Sequence, residues 1–424
     1  MRRTISALVA GALILTAGPA PAGADPSPST RPPIHTWHAD TGGTYGFAVS
    51  QLTDIDRDGA QEAIIGAAGF ADASGQRRGR TEVRSGRTGR VIYDFVGAPD
   101  DAHGYAMADA GDVNRDGVHD IAVGATGERL LACTAAPRNG RLYVYSGHDG
   151  RQLLAVDGEA AGDQFGAAVG AAGDVDRDGR ADLIVGAPCH DGPAGVDAGK
   201  AYVVSGRTGR ILRTHDGAEA GDAFGWGAAG LGDGGYIVGA KDAGPGDRGL
   251  AYVYDGRRGS TRFVLAGDAK SYDFGWFFVA DAGRVDGDRT PDIYVGDFCG
   301  EDETDQCALP RGQAYVFSGR TGHLLHLFRG EQPNDGAGPG RSAGDVNHDG
   351  RDDIVVGYYF AGGGAGRVVV YSGRTGRIIY DRVSTVPGET LGYDAVGLGD
   401  VNRDGRVDLL VSAAVGNTVY VLGT

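Results

Sequence analysis

Residues 172–188 read AGDVDRDGRADLIVGAP, placing Asp174, Asp176, Asp178 and Asp182 within nine positions before the chain turns to Leu183-Ile184-Val185. Carboxylates crowded at this spacing repel one another unless a cation sits among them. The apolar run that follows is short, β-branched and bounded by glycine, which reads as a buried strand.

The arrangement repeats. It recurs as TDIDRDGAQEAIIGAA (53–68), GDVNRDGVHDIAVGAT (111–126), GDVNHDGRDDIVVGYY (344–359) and GDVNRDGRVDLLVSAA (399–414), with two altered copies, GLGDGGYIVGA (230–240) and GRVDGDRTPDIYVGD (283–297). Upstream of the copies lies an aromatic-Gly element, as in YGFAV (45–49), QFGAAV (164–169), AFGWG (223–227) and DFGWF (273–277). Downstream lies a strand-turn-strand signature such as AYVVSGRTGRILRTH (201–215), whose SGRTGR predicts a tight hairpin. Each unit therefore holds four short strands. Seven such units predict an all-β, seven-bladed β-propeller of four-stranded antiparallel blades.

The chain ends agree with this count. The seventh unit stops at its third strand, TVYVLGT (418–424), whereas IHTWHAD (34–40) precedes the first aromatic-Gly element with no blade of its own. The N-terminal strand is thus expected to complete the last blade, which removes two exposed sheet edges.

Aromatic-Gly, then DxDxDGxxD, then a strand ending in IVGAP is similar to the FG-GAP repeat of the integrin α-subunit propeller and its bacterial relatives, over essentially all of residues 34–424. The resemblance implies recognition of a protein or glycan on the face opposite the acidic loops.

The acidic loops carry their own chemistry. In a nine-residue loop, side chains at positions one, three and five alternate toward a common centre, glycine at six permits the bend, the carbonyl at seven points inward, and the acid at nine closes the cage. An all-oxygen set of this kind suits calcium. Five loops are complete: Asp54, Asp56, Asp58 and Glu62; Asp112, Asn114, Asp116 and Asp120; Asp174, Asp176, Asp178 and Asp182; Asp345, Asn347, Asp349 and Asp353; Asp400, Asn402, Asp404 and Asp408. A lone copy could be an Asx turn on a solvated surface. Five copies in phase predict about five structural Ca2+ ions. The fourth unit is too short for a cage, because only six residues separate Gly230 from Ile237 where ten separate Gly173 from Ile184. In the fifth, Arg284 takes position one and Arg289 the glycine, which leaves Asp286, Asp288 and Asp292 as an incomplete set.

The chain of 424 residues is 41% hydrophobic and 8% aromatic, a globular composition, and its 77 glycines suit many tight turns. A net charge of −16, with the arginines spread along the chain, argues against nucleic acid and anionic membranes as partners. Residues 1–24 combine Arg2 and Arg3, the apolar run ISALVAGALILTAG and the small-x-small end Ala22-Gly23-Ala24, the pattern of a signal peptide cleaved after Ala24. That run is too short to span a bilayer. Residues 25–33, rich in Pro and Ser, read as a flexible lead-in to a single domain over 34–424. A secreted monomer is expected, with an extracellular protein or glycan as its ligand.

Cysteines in an exported chain favour disulfides. Cys299 and Cys307 enclose one acidic loop; Cys133 and Cys189 occupy equivalent loops of neighbouring blades and could bridge them. A search for catalytic signatures finds no HExxH. The one GxSxG, Gly340-Arg341-Ser342-Ala343-Gly344, precedes an acidic loop with no helix after it, contrary to a nucleophile elbow. An extracellular carbohydrate-active or other hydrolytic enzyme on this ring is the competing reading. The fourth and fifth units, which depart from the acidic cage, also carry Trp226, Trp276, Phe277 and Phe278. These aromatics either fill space between blades or, with Tyr272, Trp276, Phe298 and the 297–311 loop, form a ligand face.

Overall fold

Strands Ala168–Gly173, Asp182–Ala187, Lys200–Val204 and Ile211–Asp216 hydrogen-bond in sequence order into one antiparallel sheet, and six further sheets repeat the pattern. A computed structural model describes residues 26–39, 43–127, 133, 138–300, 307 and 310–424, so the expected signal peptide lies outside the described residues. In every blade the second strand is wholly buried and the fourth is half exposed, which sets the radial order from core to rim. The first strands touch one another in turn around a complete circle, that of the seventh blade meeting that of the first, so they line a central channel.

The seventh sheet holds Asp394–Gly399, Asp408–Ala413 and Thr418–Leu422, and its fourth strand is His35–His38. His35 pairs with Val421 and His38 with Thr418, antiparallel, as the unmatched chain ends predict. Trp37 is buried on this seam with Val419 and Val421. Ahead of it, residues 26–33 have no regular structure. Ser29 N–H donates to the Asp381 carbonyl at 2.6 Å and Arg31 Nη1 to the Thr424 carbonyl at 2.8 Å.

Two repeated contacts explain why the aromatic-Gly and Val-Gly-Ala elements travel together. A Cβ built on Gly186 would collide with the carbonyl oxygen of Gly225 in the next blade, and Gly225 itself has φ +105°. The blades thus meet backbone to backbone, which only glycine allows. The aromatic ring before the second glycine then packs edge-on against a strand-three tyrosine: Phe165 on Tyr202 at 5.2 Å, Phe224 on Tyr252 at 5.4 Å, Phe274 on Tyr315 at 5.2 Å. Hydrophobic clusters accordingly lie between blades; one joins Leu52, Ile64 and Val83 of the first to Ile121, Val123 and Tyr143 of the second. The SGRTGR segments close as tight hairpins, with Ser205 N–H donating to the Arg210 carbonyl at 2.8 Å.

Candidate functional site

The acidic loops all join the first strand of a blade to its second, so they share one end of the ring. In the third blade Gly179 N–H donates to Asp174 Oδ2 at 3.0 Å, Asp178 N–H to Asp176 Oδ1 at 3.0 Å, and Val175 N–H to Asp182 Oδ2 at 2.8 Å. Position four takes the left-handed conformation in all five complete loops, with φ of 63°, 64°, 65°, 59° and 63° at Arg57, Arg115, Arg177, His348 and Arg403. This bend turns the odd-numbered side chains inward. One carboxylate oxygen from each of Asp54, Asp56 and Asp58 lies within 4.8 Å of the others, and the same holds for Asp174, Asp176 and Asp182.

The acid at position nine sits at the floor of each cage and is fully buried in all five: Glu62, Asp120, Asp182, Asp353 and Asp408. Burial, joined by neighbouring carboxylates, pushes Asp120, Asp182 and Asp353 up to about 6, Asp408 to about 7 and Glu62 to about 8. Glu62 Oε2 is buried with no protein partner. A buried acid surrounded by acids is what a divalent cation would hold ionised, and the all-oxygen donor set fits calcium.

The fourth and fifth blades lack parts of this set. In the fourth, the turn around Asp233 offers a single acid, and Arg262 Nη1 lies 2.6 Å from its Oδ2. In the fifth, Asp292 keeps the buried floor position, Asp286 Oδ2 accepts from Ser318 Oγ at 3.2 Å, and Arg320 Nε stands 2.6 Å from Asp288. Complete loops share this contact, with Arg87 Nε 3.3 Å from Asp58 and Arg207 Nη1 3.8 Å from Asp178, so the fifth loop is set apart by its missing position-one acid.

At the other end of the ring the channel, about 810 Å3 in volume, opens through aromatic side chains. The residue after the aromatic-Gly glycine points to this mouth in each blade, and in five blades it is aromatic: Phe47, Tyr105, Trp226, Trp276 and Tyr393. Phe298 and Tyr359, each following a second strand, complete a chain of rings. Tyr105 to Phe47 is 5.2 Å, Phe47 to Tyr393 6.0 Å, Tyr393 to Tyr359 5.7 Å, Tyr359 to Phe298 6.2 Å, Phe298 to Trp276 4.9 Å and Trp276 to Trp226 6.1 Å. Lys241 Nζ stands 5.1 Å over the Trp276 ring. The indole N–H groups of Trp226 and Trp276 are buried with no hydrogen-bond partner.

Of the ligand-face residues expected from sequence, Trp276 and Phe298 meet here. Tyr272 sits on the connector before them, its backbone N–H 3.4 Å from Asp297 Oδ2. Phe47, Tyr105, Tyr359 and Tyr393 are the mouth residues that sequence reasoning missed. For Phe47, Tyr105 and Tyr393 their shared position after the glycine was the available signal; Tyr359, directly after a second strand, matches Phe298. Asp297, where five other blades carry Ala and the sixth carries Tyr358, is fully buried and pushed up to about 7 by that burial.

Both expected disulfides form, Cys299–Cys307 beside Phe298 and Cys133–Cys189 between blades two and three. Residues 301–306, 308 and 309 of the cystine loop lie outside the described residues. Ser342 of the GxSxG stretch lies inside strand Ala337–Gly344, its Oγ accepting from Gly344 N–H at 3.2 Å, far from a strand-to-helix elbow.

Comparison with known proteins agrees with this geometry. The FG-GAP repeat matches residues 108–145 and 165–204, and an FG-GAP-like repeat matches 345–411. Integrin alpha-E of Mus musculus is 32% identical over 158 residues, 34% of this chain and 13% of the relative. Integrin alpha-6 of Gallus gallus is 29% identical over 154 residues, covering 34% and 13%; integrin alpha-PS2 of Drosophila melanogaster is 27% identical over 285 residues, covering 60% and 18%. The chain thus spans under a fifth of the length of these relatives. A chain in a crystal structure of the mitotic checkpoint complex superposes with a TM-score of 0.58 at 13% identity, over 97% of this chain and 98% of the other, a likeness of fold alone.

Proposed function

Since the protein is a seven-bladed β-propeller carrying FG-GAP repeats, we propose that it is an exported, calcium-stabilised module that binds an extracellular protein or glycan at the aromatic mouth of its channel. The observation that carries this reading is the division of labour between the two ends of the ring. One end collects carboxylates in repeated cages; the other collects seven aromatic side chains around an opening.

Calcium would be held by Asp54, Asp56, Asp58 and Glu62 in the first blade and by the corresponding sets of blades two, three, six and seven. Bound there, it neutralises the loop carboxylates. The chain's own part is to present them, with the floor acid fixed by backbone N–H donors and position four bent to turn its neighbours inward. Ordering these loops stabilises the folded ring by linkage.

At the mouth, tilted and edge-on aromatic rings offer what a sugar ring or an aromatic or aliphatic peptide side chain needs: apolar surface, with the Lys241 ammonium beside Trp276 as a polar point. The likeness to integrin α subunits supports recognition as the task. Export is supported by the leader-like residues 1–24 and the two disulfides. Among the described residues no helix is long and apolar enough to cross a membrane.

The test is a binding screen against glycan arrays and extracellular-matrix proteins, repeated with Trp276→Ala. Loss of the ligand found for the wild type, with an unchanged melting temperature, supports the mouth as the site. Undiminished binding by Trp276→Ala and Phe298→Ala would contradict it.

A further inference from the structure

The loops of blades two and three are tied to each other by arginine side chains that grip the neighbouring backbone. Arg115, at position four of the second loop, donates from Nε to the Gly179 carbonyl at 2.8 Å and from Nη2 to the Asp178 carbonyl at 2.6 Å, both in the third loop. Gly179 has no Cβ, and Arg115 fills that space. In return Arg180, at position seven of the third loop, donates from Nη1 to the Val113 carbonyl of the second at 2.6 Å, and Ala181 N–H reaches the Asp112 carbonyl at 3.4 Å. The four contacts run in both directions.

Both arginines belong to the frames of their own cages. Arg115 N–H donates to Asp112 Oδ1 at 2.6 Å, and Arg180 N–H to Asp178 Oδ1 at 3.0 Å. Val113, the residue Arg180 grips, has its own N–H on the floor acid Asp120 at 2.9 Å. Fixing one cage therefore fixes the residue that grips the other.

The junction of blades five and six is also tied, Arg351 Nη1 donating to the Val285 carbonyl at 3.4 Å and Arg284 N–H to Asp352 Oδ2 at 2.6 Å, but loop five is not a complete cage. The other junctions between complete cages are weaker or open. Arg403 of the seventh blade makes a single bond to the Asp58 carbonyl of the first at 3.1 Å. Gly350 and Gly405, the position-six glycines of blades six and seven, face open space where Gly179 faces Arg115.

We propose that the acidic loops of blades two and three take up their cations as a positively coupled pair, with Arg115 and Arg180 as the coupling residues; this rests on the calcium reading above. The first ion orders a shared backbone frame, so the second binds to a loop whose ordering cost is already met. Linkage makes the effect reciprocal. Arg115 is exposed, so its charge is screened, and its contribution is order.

The experiment is calcium titration of the chain from residue 25 onward, followed by calorimetry and native mass spectrometry. Asp112→Asn with Asp116→Asn should remove one ion and weaken a second about tenfold. The same exchange in blade six, Asp345→Asn with Asp349→Asn, should remove one ion and leave the others unchanged. In a background of Arg115→Asn and Arg180→Ala, disabling the second loop should cost one ion only. Should the blade-two variant fail to fold, Asp174→Asn with Asp178→Asn poses the reciprocal test. Remaining affinities that are unchanged when loop two is disabled would overturn the coupling while leaving the calcium reading intact. A wild type that binds no calcium at all would overturn both.

Discussion

At Gly186 one methyl group decides whether two blades can meet. Its α-carbon faces the Gly225 carbonyl across the blade boundary with no room for a side chain, so Gly186→Ala forces the blades apart. The expected cost is about 3 kcal/mol, at the upper end for overpacking, read as a lower denaturation midpoint at an unchanged slope. Asp297 makes a different residue-scale prediction. Burial raises its folded pKa to about 7 against an unfolded value of about 3.9. Between those values the folded state holds a proton that the unfolded state has lost, so stability falls as pH rises through that window. Asp297→Asn should flatten the dependence of melting temperature on pH between 5 and 8; a slope equal to that of the wild type would contradict the assignment. The protonation of Asp297 could not be read from sequence alone. The repeat aligns the residue with Ala187 of the third blade, but only the packed blade shows that the carboxyl is buried there and held protonated.

At the scale of the element, contiguity decides what a sequence discloses. An acidic loop is nine consecutive residues, so its ligands, its bend and its floor acid can be read directly, and the shortened fourth copy announces its own loss. The aromatic mouth is assembled from residues hundreds of positions apart. Trp276 and Phe298 come from one blade and could be paired in advance; Phe47, Tyr359 and Tyr393 meet only when the ring closes. The contacts of Arg115 with loop three were hidden for the same reason, since arginine at position four looks like an ordinary exposed residue. The inter-blade disulfide offers a measurable element-scale effect. Cys133 and Cys189 are separated by 56 residues. Replacing both with Ser should lower stability by about 2–4 kcal/mol through the larger freedom of the unfolded chain, checked by denaturant unfolding with and without a reductant.

For the whole molecule, the ring is closed by pairing the N-terminal strand with the last strand of the chain. The register His35 to Val421 and the burial of Trp37 make this seam part of the core. Deleting residues 26–39 exposes the edge of Thr418–Leu422, and soluble yield and melting temperature should both drop, the freed edge favouring self-association. Closure was legible because the count of strands came out one short at one end and one over at the other. The direction of the cages was legible too, since every acidic loop follows a first strand. What the ring binds was not, because repeats specify the scaffold and ligands are chosen by side chains brought together across blades.

Calcium dependence of the intact propeller tests the central claim most directly. Thermal unfolding would be followed in millimolar calcium, in millimolar magnesium and in chelator, with bound metal counted by mass spectrometry. The account predicts about five bound calcium ions and a melting temperature that rises with calcium far more than with magnesium, each ion adding about 2.7 kcal/mol when calcium is a hundredfold above its dissociation constant. A protein that retains no calcium and melts at the same temperature in all three conditions would contradict it.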